Sequence, residues 1–276
     1  MTLKELVNNS LSKTSDPLIK DNIKWLLINK LNYSNTDYIL KQDEELSEEF
    51  IESFKMDLDK HLNLNIPVQY ILNKAYFYGN EFYVDDNVLI PRKETEDLIY
   101  NTINFIKDKY QNKEISILDL ATGSGIIGIT LKKELPHVTV TVSDISIGAL
   151  KVARKNALSH QVDINIIESD WFKNIKDKYD VIISNPPYIK EDYILDTKVL
   201  KEPHNALFSG VDGLDSYKVI LSEIKSYLNN NYLIAFEHGY DQKDTIREIA
   251  LKYFNKEEII QKRDLSNKDR YTFIIR

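Results

Sequence analysis

Six consecutive residues, Ser184-Asn185-Pro186-Pro187-Tyr188-Ile189, set a carboxamide, two prolines and an aromatic ring directly behind the apolar run Val181-Ile182-Ile183. Neither proline has an N–H to give to a sheet, so a strand ends here and the chain stiffens behind it. The chemistry this suits is recognition of a planar nitrogen. An amide or exocyclic amine nitrogen is a poor nucleophile, because its lone pair is delocalised. Acceptors on its two N–H bonds orient it and draw it toward pyramidal geometry. The Asn185 side-chain oxygen is one acceptor. The Pro186 carbonyl is a second, held because Pro186 and Pro187 fix the neighbouring φ angles. Tyr188 can stack on the planar target. The structural alternative is a turn with a capping Asn.

A second cluster is Ala121-Thr122-Gly123-Ser124-Gly125, between the apolar stretch Ile117–Leu120 and a helical pattern from Ile126. Glycine lets backbone approach a ligand closely, and a helix N-terminus adds free N–H groups and partial positive charge. Asp144 stands about 20 residues further on, where an acid can accept from both hydroxyls of a ribose. Together they describe an adenosine-containing ligand. The loop reads A-T-G-S-G-I-I-G, so its spacing alone leaves a dinucleotide open. Asp144 also fits as a helix cap before Ser146. A third cluster, Glu168-Ser169-Asp170-Trp171-Phe172, follows another predicted strand. Asp170 can accept from an adenine amino group and Trp171 can cover a purine face, or Trp171 can be a core anchor.

These clusters need a frame that ends strands side by side. From Ile115 onward, strands and helices alternate. Strands are expected over 117–120, 138–142, 164–167, 179–183, 232–236 and 271–275, and helices over 126–135, 147–158, 214–228 and 243–253. Such alternation makes a mostly parallel sheet covered on both faces, with ligands beyond the carboxyl ends of its strands. Residues 1–74 read as a bundle of about four helices. Leu3, Leu6, Val7 and Leu11 recur at helical spacing, and Ser15-Asp16-Pro17 offers a cap and a first-turn proline. Residues 75–92 read as a linking β-hairpin around a Gly79-Asn80 turn, with a helix starting at Thr95-Glu96-Asp97-Leu98.

The chain has 276 residues, a net charge of −7 and no cysteine. The absence of cysteine excludes disulfides, a thiolate metal site and a cysteine nucleophile. No metal site is expected. The acidic total, at a pI of about 5.4, argues against a dedicated duplex-DNA binder. No apolar run approaches the roughly 18 residues of a membrane span. The N-terminus lacks the apolar core of a secretory signal. A cytoplasmic protein is the expectation.

The motifs D-L-A-T-G-S-G, S-D-I-S-I-G-A-L, S-D-W-F and D-V-I-I-S-N-P-P-Y-I, in this order, resemble those of class I methyltransferases that use S-adenosylmethionine. The whole set resembles the PrmC/HemK family, the protein-(glutamine-N5) methyltransferases of peptide chain release factors. The likeness extends to Val68–Leu72, Leu89–Glu96, Glu202–Leu207, Glu237–Gln242 and Asp264 with Arg270. It covers residues 65–276 with strong motifs, and 1–64 as a helical domain of the right size. It implies an α/β class I (Rossmann-like) fold over 93–276 with a small N-terminal helical domain. Because that domain joins next to the active-site edge, it is expected to dock the release factor. By position, Ala121, Thr122, Gly123, Ser124 and Gly125 wrap the methionine end of the cofactor. Asp144 takes the ribose, and Asp170 and Trp171 lie by the adenine. Asn185, Pro186, Pro187 and Tyr188 receive the Gly-Gly-Gln glutamine, with Asn185 also beside the cofactor. Arg92 and Glu94 border the site. The expected partner is a release factor bound by a monomer, with no membrane and no direct nucleic-acid binding.

Three positions depart from the family pattern. Ala121 and Asn73 stand where it usually has glycine, and Lys93 where it has proline. Ala121 is tolerated if its φ is negative and costs affinity otherwise. The rival readings are glutamine methylation of a ribosomal protein and amino methylation of adenine N6 or guanine N2. A cofactor-binding regulator and a nicotinamide dehydrogenase stand further off.

Overall fold

Capping residues delimit the helices of the N-terminal part. Thr2 and Glu5 form a capping box at the start of α1 (Leu3–Leu11). Asp16 accepts from Leu18 N ahead of Pro17, which opens α2 (Pro17–Leu31). Then come α3 (Asn35–Leu40), α4 (Glu48–Asn63) and α5 (Val68–Leu72). That is five helices where periodicity suggested about four. The short α3 buries none of its residues, so it carries no apolar stripe to read. Leu3, Leu6, Ile23, Leu26, Phe54 and Leu58 form the core of this part. Asn73 caps α5 at φ 51°, a left-handed conformation that glycine and asparagine adopt most readily.

The computed structural model describes residues 1–111 and 113–276. It divides into two units, Met1–Lys74 with Asp196–Lys201, and Ala75–Leu195 with Glu202–Arg276. The segment Asp196–Lys201, expected within the 93–276 domain, therefore packs with the helices. There the buried ring of His61 bonds through Nδ1 to the Ile66 carbonyl at 2.9 Å, and its Nε2 lies 3.4 Å from Lys198 Nζ.

The second unit opens with the hairpin β1 (Ala75–Phe77) and β2 (Asn80–Phe82). Its turn is Tyr78-Gly79 rather than Gly79-Asn80, with φ of 49° and 70°. Two positive φ angles make a primed turn, which matches strand twist. The Asn80 side chain bonds back to the Tyr78 carbonyl, and the Tyr78 N–H donates to Glu96. Helix α6 (Lys93–Tyr110) begins two residues earlier than expected, which sets Thr95 inside its first turn.

The rest runs β3 (Ser116–Leu120), α7 (Ile126–Glu134), β4 (Thr139–Asp144), α8 (Ile147–Ser159), β5 (Asn165–Glu168), β6 (Tyr179–Ser184), α9 (His204–Leu207), α10 (Asp215–Glu223), β7 (Leu228–Glu237), α11 (Lys243–Leu251), β8 (Ile259–Arg263) and β9 (Asp269–Ile275). The seven strands are ordered β5-β4-β3-β6-β7-β9-β8, with the first five parallel and β9 antiparallel to both neighbours. Alternate residues feed two cores. Ile117, Val181, Ile183 and Leu233 face α6 and α7, while Leu118, Ile182, Ile234 and Phe236 face α10 and α11.

Two expectations fail in this half. Helix α10 stops at Glu223 and a 3-10 turn follows, so β7 starts at Leu228, four residues before Tyr232. The run Asn229-Asn230-Asn231 has poor strand propensity, but pairing of Leu228 with Tyr179 extends the strand through it. Strand β8 was not foreseen. It is an edge strand that buries only Ile259 well, and its Lys262 and Arg263 suit an exposed edge.

Candidate active site

Strands β3 and β6 lie side by side, with Leu118 opposite Ile182 and Asp119 opposite Ile183. From β3 the chain moves outward through β4 and β5, then returns on the other side as β6. The strand order therefore reverses between them, which opens a crevice at their carboxyl ends. The loop 121–125 and the residues 185–188 leave the sheet at this point. Ser184 Oγ donates to the Leu120 carbonyl at 2.5 Å and stitches the two exits together.

The glycine loop is held from beneath by two carboxyl groups. Asp144 Oδ2 accepts from Gly123 N at 2.9 Å and its Oδ1 from Ser146 N at 2.8 Å. Burial raises its pKa, and the N–H groups of Ser146 and Gly123 work against the rise. The cap of α8 is Ser146, which accepts from Ala149 N, so Asp144 is not spent as the helix cap. Asp119 Oδ2 accepts from the Thr122 hydroxyl and from Gly128 N in the first turn of α7. Full burial pushes this carboxyl up to about 7, and its Oδ1 has no hydrogen-bond partner among the described residues. A Cβ on Gly128 would meet Val142 Cγ1 at 2.4 Å, so this glycine is what lets α7 approach the sheet. Ala121, Gly123 and Gly125 have φ of 59°, 56° and 83°. The condition under which Ala121 would be harmless, a negative φ, is not met.

A cavity of about 470 Å³ occupies the crevice. Of the residues read from the sequence, Ala121, Thr122, Gly123, Ser124, Asp144, Asp170, Trp171, Asn185, Pro187 and Arg92 line it. Gly125, Pro186, Tyr188 and Glu94 do not. Gly125 is the cap residue of α7 and packs toward Ala153. Pro186 is buried, and no described residue donates to its carbonyl. Tyr188 packs against the α10–α11 core, and burial raises its phenol pKa. Its carbonyl accepts from Gln242 Nε2 at 2.9 Å. Trp171, at φ 49°, both lines the cavity and packs on that core, so the two readings of it are not exclusive. Asp170 is paired with Lys173 at 2.5 Å.

Two side-chain relations had no sequence signal. Arg92 meets Glu202 at 2.5 Å, while the other Glu202 oxygen accepts from Ile90 N at 3.0 Å. This ties the segment before α6 to the loop that leads into α9. Asn185 Nδ2 donates to Thr95 Oγ1 at 3.2 Å, and Thr95 Oγ1 donates to Glu237 Oε2 at 2.8 Å. Thr95 and Glu237 are both 1% exposed, and burial pushes the Glu237 carboxyl up to about 7. Thr95 lines the cavity beside Asn185.

Residues 102–210 match the model of the methyltransferase small domain family. A release factor glutamine methyltransferase of Streptococcus pneumoniae is 37% identical over 88% of this chain and 87% of its own length. The chain belongs to the release factor glutamine methyltransferase family. A bifunctional methyltransferase of Rickettsia typhi is also 37% identical, over 98% of this chain, which spans 56% of that relative's length. Among solved structures, a 16S rRNA N2 methyltransferase of T. thermophilus, in complex with AdoMet and guanosine, superposes with a TM-score of 0.51. It covers 74% of this chain and 49% of its own, at 12% identity, a likeness that speaks to the fold. This member of the glutamine methyltransferase family thus has the class I methyltransferase fold, and parts of four of its motifs, residues 121–124, Asp144, Asp170 with Trp171, and Asn185 with Pro187, line one cavity.

Proposed function

We propose that this chain transfers a methyl group from S-adenosylmethionine to the side-chain amide nitrogen of the glutamine in the Gly-Gly-Gln loop of peptide chain release factors. The observation that carries the reading is the Asn185 carboxamide on the wall of the cavity that also exposes the Asp144 carboxylate and the glycine loop. Family membership at 37% identity supports the same substrate.

The residues present fit the cofactor. Each Asp144 oxygen takes one backbone N–H and keeps a lone pair for a ribose hydroxyl. The half-buried Trp171 offers a flat apolar surface for the purine. Residues 121–124 would hold the methionine end. When bound, S-adenosylmethionine supplies a methyl group on a positively charged sulfonium. The protein's own part is orientation. Asn185 Oδ1 accepts an N–H of the incoming amide. The Pro186 carbonyl has no donor among the described residues but lies off the cavity wall, so it becomes the second acceptor only when the amide reaches past Asn185. Pro187 stiffens the loop, and Gln242 anchors it through the Tyr188 carbonyl. Holding an amide nitrogen in line with a methyl donor is worth roughly 7–11 kcal/mol of barrier. No side chain need act as a strong base, because the amide proton can leave after the methyl arrives. In the same reading the helices of residues 1–74 dock the body of the release factor.

Asn185→Ala tests the assignment. It should retain S-adenosylmethionine affinity and lose turnover, because the deleted acceptor acts at the transition state. Equal losses in affinity and turnover would instead mean a collapsed site.

A further inference from the structure

An asparagine can serve as acceptor only if its amide is turned the right way. Rotation by 180° exchanges oxygen for NH₂ and presents a donor to the N–H groups of the substrate. Something must therefore choose between two orientations of nearly equal shape. We propose that Thr95 and Glu237 make that choice, as positioning residues that turn Asn185 Oδ1 toward the substrate amide. The proposal deepens the glutamine methyltransferase reading and rests on it.

The orientation is set outward from Glu237. An ionised carboxylate has only acceptor sites, so the hydroxyl 2.8 Å from its Oε2 must give its proton to it. Thr95 Oγ1 then has only lone pairs left for its other neighbour, 3.2 Å away. That neighbour must be the NH₂ of Asn185, and the amide oxygen is left on the cavity side. No described residue donates to this oxygen. Both relay residues are 1% exposed, so water cannot readily substitute for either partner. Three distant elements meet here: the first turn of α6, the end of β6 and the last residue of β7. The Glu237 backbone is fixed independently, since its carbonyl accepts from the Tyr217 hydroxyl at 2.6 Å. Arg270 and Arg92 favour the charged form of its side chain and Glu94 opposes it, but among the described residues no salt bridge joins it to a cation, and its one side-chain hydrogen bond is to Thr95.

The full-length chain is assayed with Gly-Gly-Gln release factor at pH 8.5, where Glu237 is ionised. Thr95→Val removes the hydroxyl at constant shape and should lower kcat about tenfold, while the S-adenosylmethionine Kd stays within about twofold. Thr95→Ser restores the hydroxyl and should recover kcat to within about threefold. Glu237→Met removes the acceptor without leaving a charge behind and should lower kcat like Thr95→Val. The double variant Thr95→Val/Glu237→Met should be no slower than either single one, because both break the same relay. If Thr95→Val fails to fold, the comparison of Glu237→Met with Thr95→Ser carries the test. Wild-type kcat in Thr95→Val or Glu237→Met, a Thr95→Ser as slow as Thr95→Val, or multiplied losses in the double variant would each overturn the relay. A wild type that does not methylate the glutamine would overturn the proposed function and this inference with it.

Discussion

Gln242 Nε2 lies 2.9 Å from the carbonyl of Tyr188, and the same nitrogen reaches the Gly213 carbonyl at 3.1 Å. Its Oε1 accepts from Gly239 N at 2.9 Å. One buried carboxamide thus joins the loop after β6 to the loops before α10 and after β7. Gln242→Ala would leave buried carbonyls unpaired, at a cost of about 1–3 kcal/mol. The expected outcome in urea unfolding is a lower midpoint, with kcat reduced more than S-adenosylmethionine affinity. An unchanged midpoint would show that the loop is held by other means.

Ala121 sits at φ 59°, where a Cβ costs about 1–2 kcal/mol. Glycine there removes the strain and adds back about 0.5–1 kcal/mol of unfolded-state entropy. Ala121→Gly should therefore stabilise the chain, by about 0.5–1 kcal/mol. A lower denaturation midpoint for the variant would contradict this.

Arg92 is about one-third exposed, while its partner Glu202 has a side chain only 2% exposed. Arg92→Ala strands that carboxylate with the Ile90 N–H alone and should cost about 2 kcal/mol, reduced by the solvent reach of Arg92. Adding Glu202→Gln should recover part of the loss. A double-mutant cycle with no coupling would remove the pair as the link between these segments.

Asp119 makes stability depend on pH in a defined direction. Burial raises its folded pKa to about 7, against about 3.9 unfolded. Between those values the folded state holds the extra proton, so stability falls as pH rises from about 4 to about 7 and is level above. Asp119→Asn keeps an acceptor for Thr122 and Gly128 but does not titrate. Its stability relative to wild type should climb across that window. A difference that is flat from pH 4 to 8 would show that the carboxyl ionises at its ordinary value.

The parts of this site legible in the sequence are those set by local backbone chemistry. Prolines 186 and 187 mark where β6 stops, and the glycines of the 121–125 loop mark a turn into a helix. The acid closing β4 follows from the spacing. The left-handed conformations at Ala121 and Asn73 explain why a family pattern has glycine at both. What was not legible depends on distant pairing. Thr95 and Asn185 are 90 residues apart, and Thr95 and Glu237 are 142 apart. No period or motif links them, and Thr95 reads from sequence only as the start of a helix. Asp196–Lys201 gave no sign that it packs with the first helices, and the Asn229–Asn231 run concealed the start of β7. Each was decided by tertiary partners that override local preference. No helix among the described residues is long and apolar enough to cross a membrane.

The most direct test of the central claim is labelled-methyl transfer from S-adenosylmethionine to purified release factor, with Gly-Gly-Gln and Gly-Gly-Ala versions in parallel. Ribosomal RNA, duplex DNA and ribosomal protein serve as competing acceptors. The account predicts label on the Gly-Gly-Gln factor alone, lost in the Gly-Gly-Ala version and lost with Asn185→Ala. Label on nucleic acid or ribosomal protein, with none on the release factor, would contradict it.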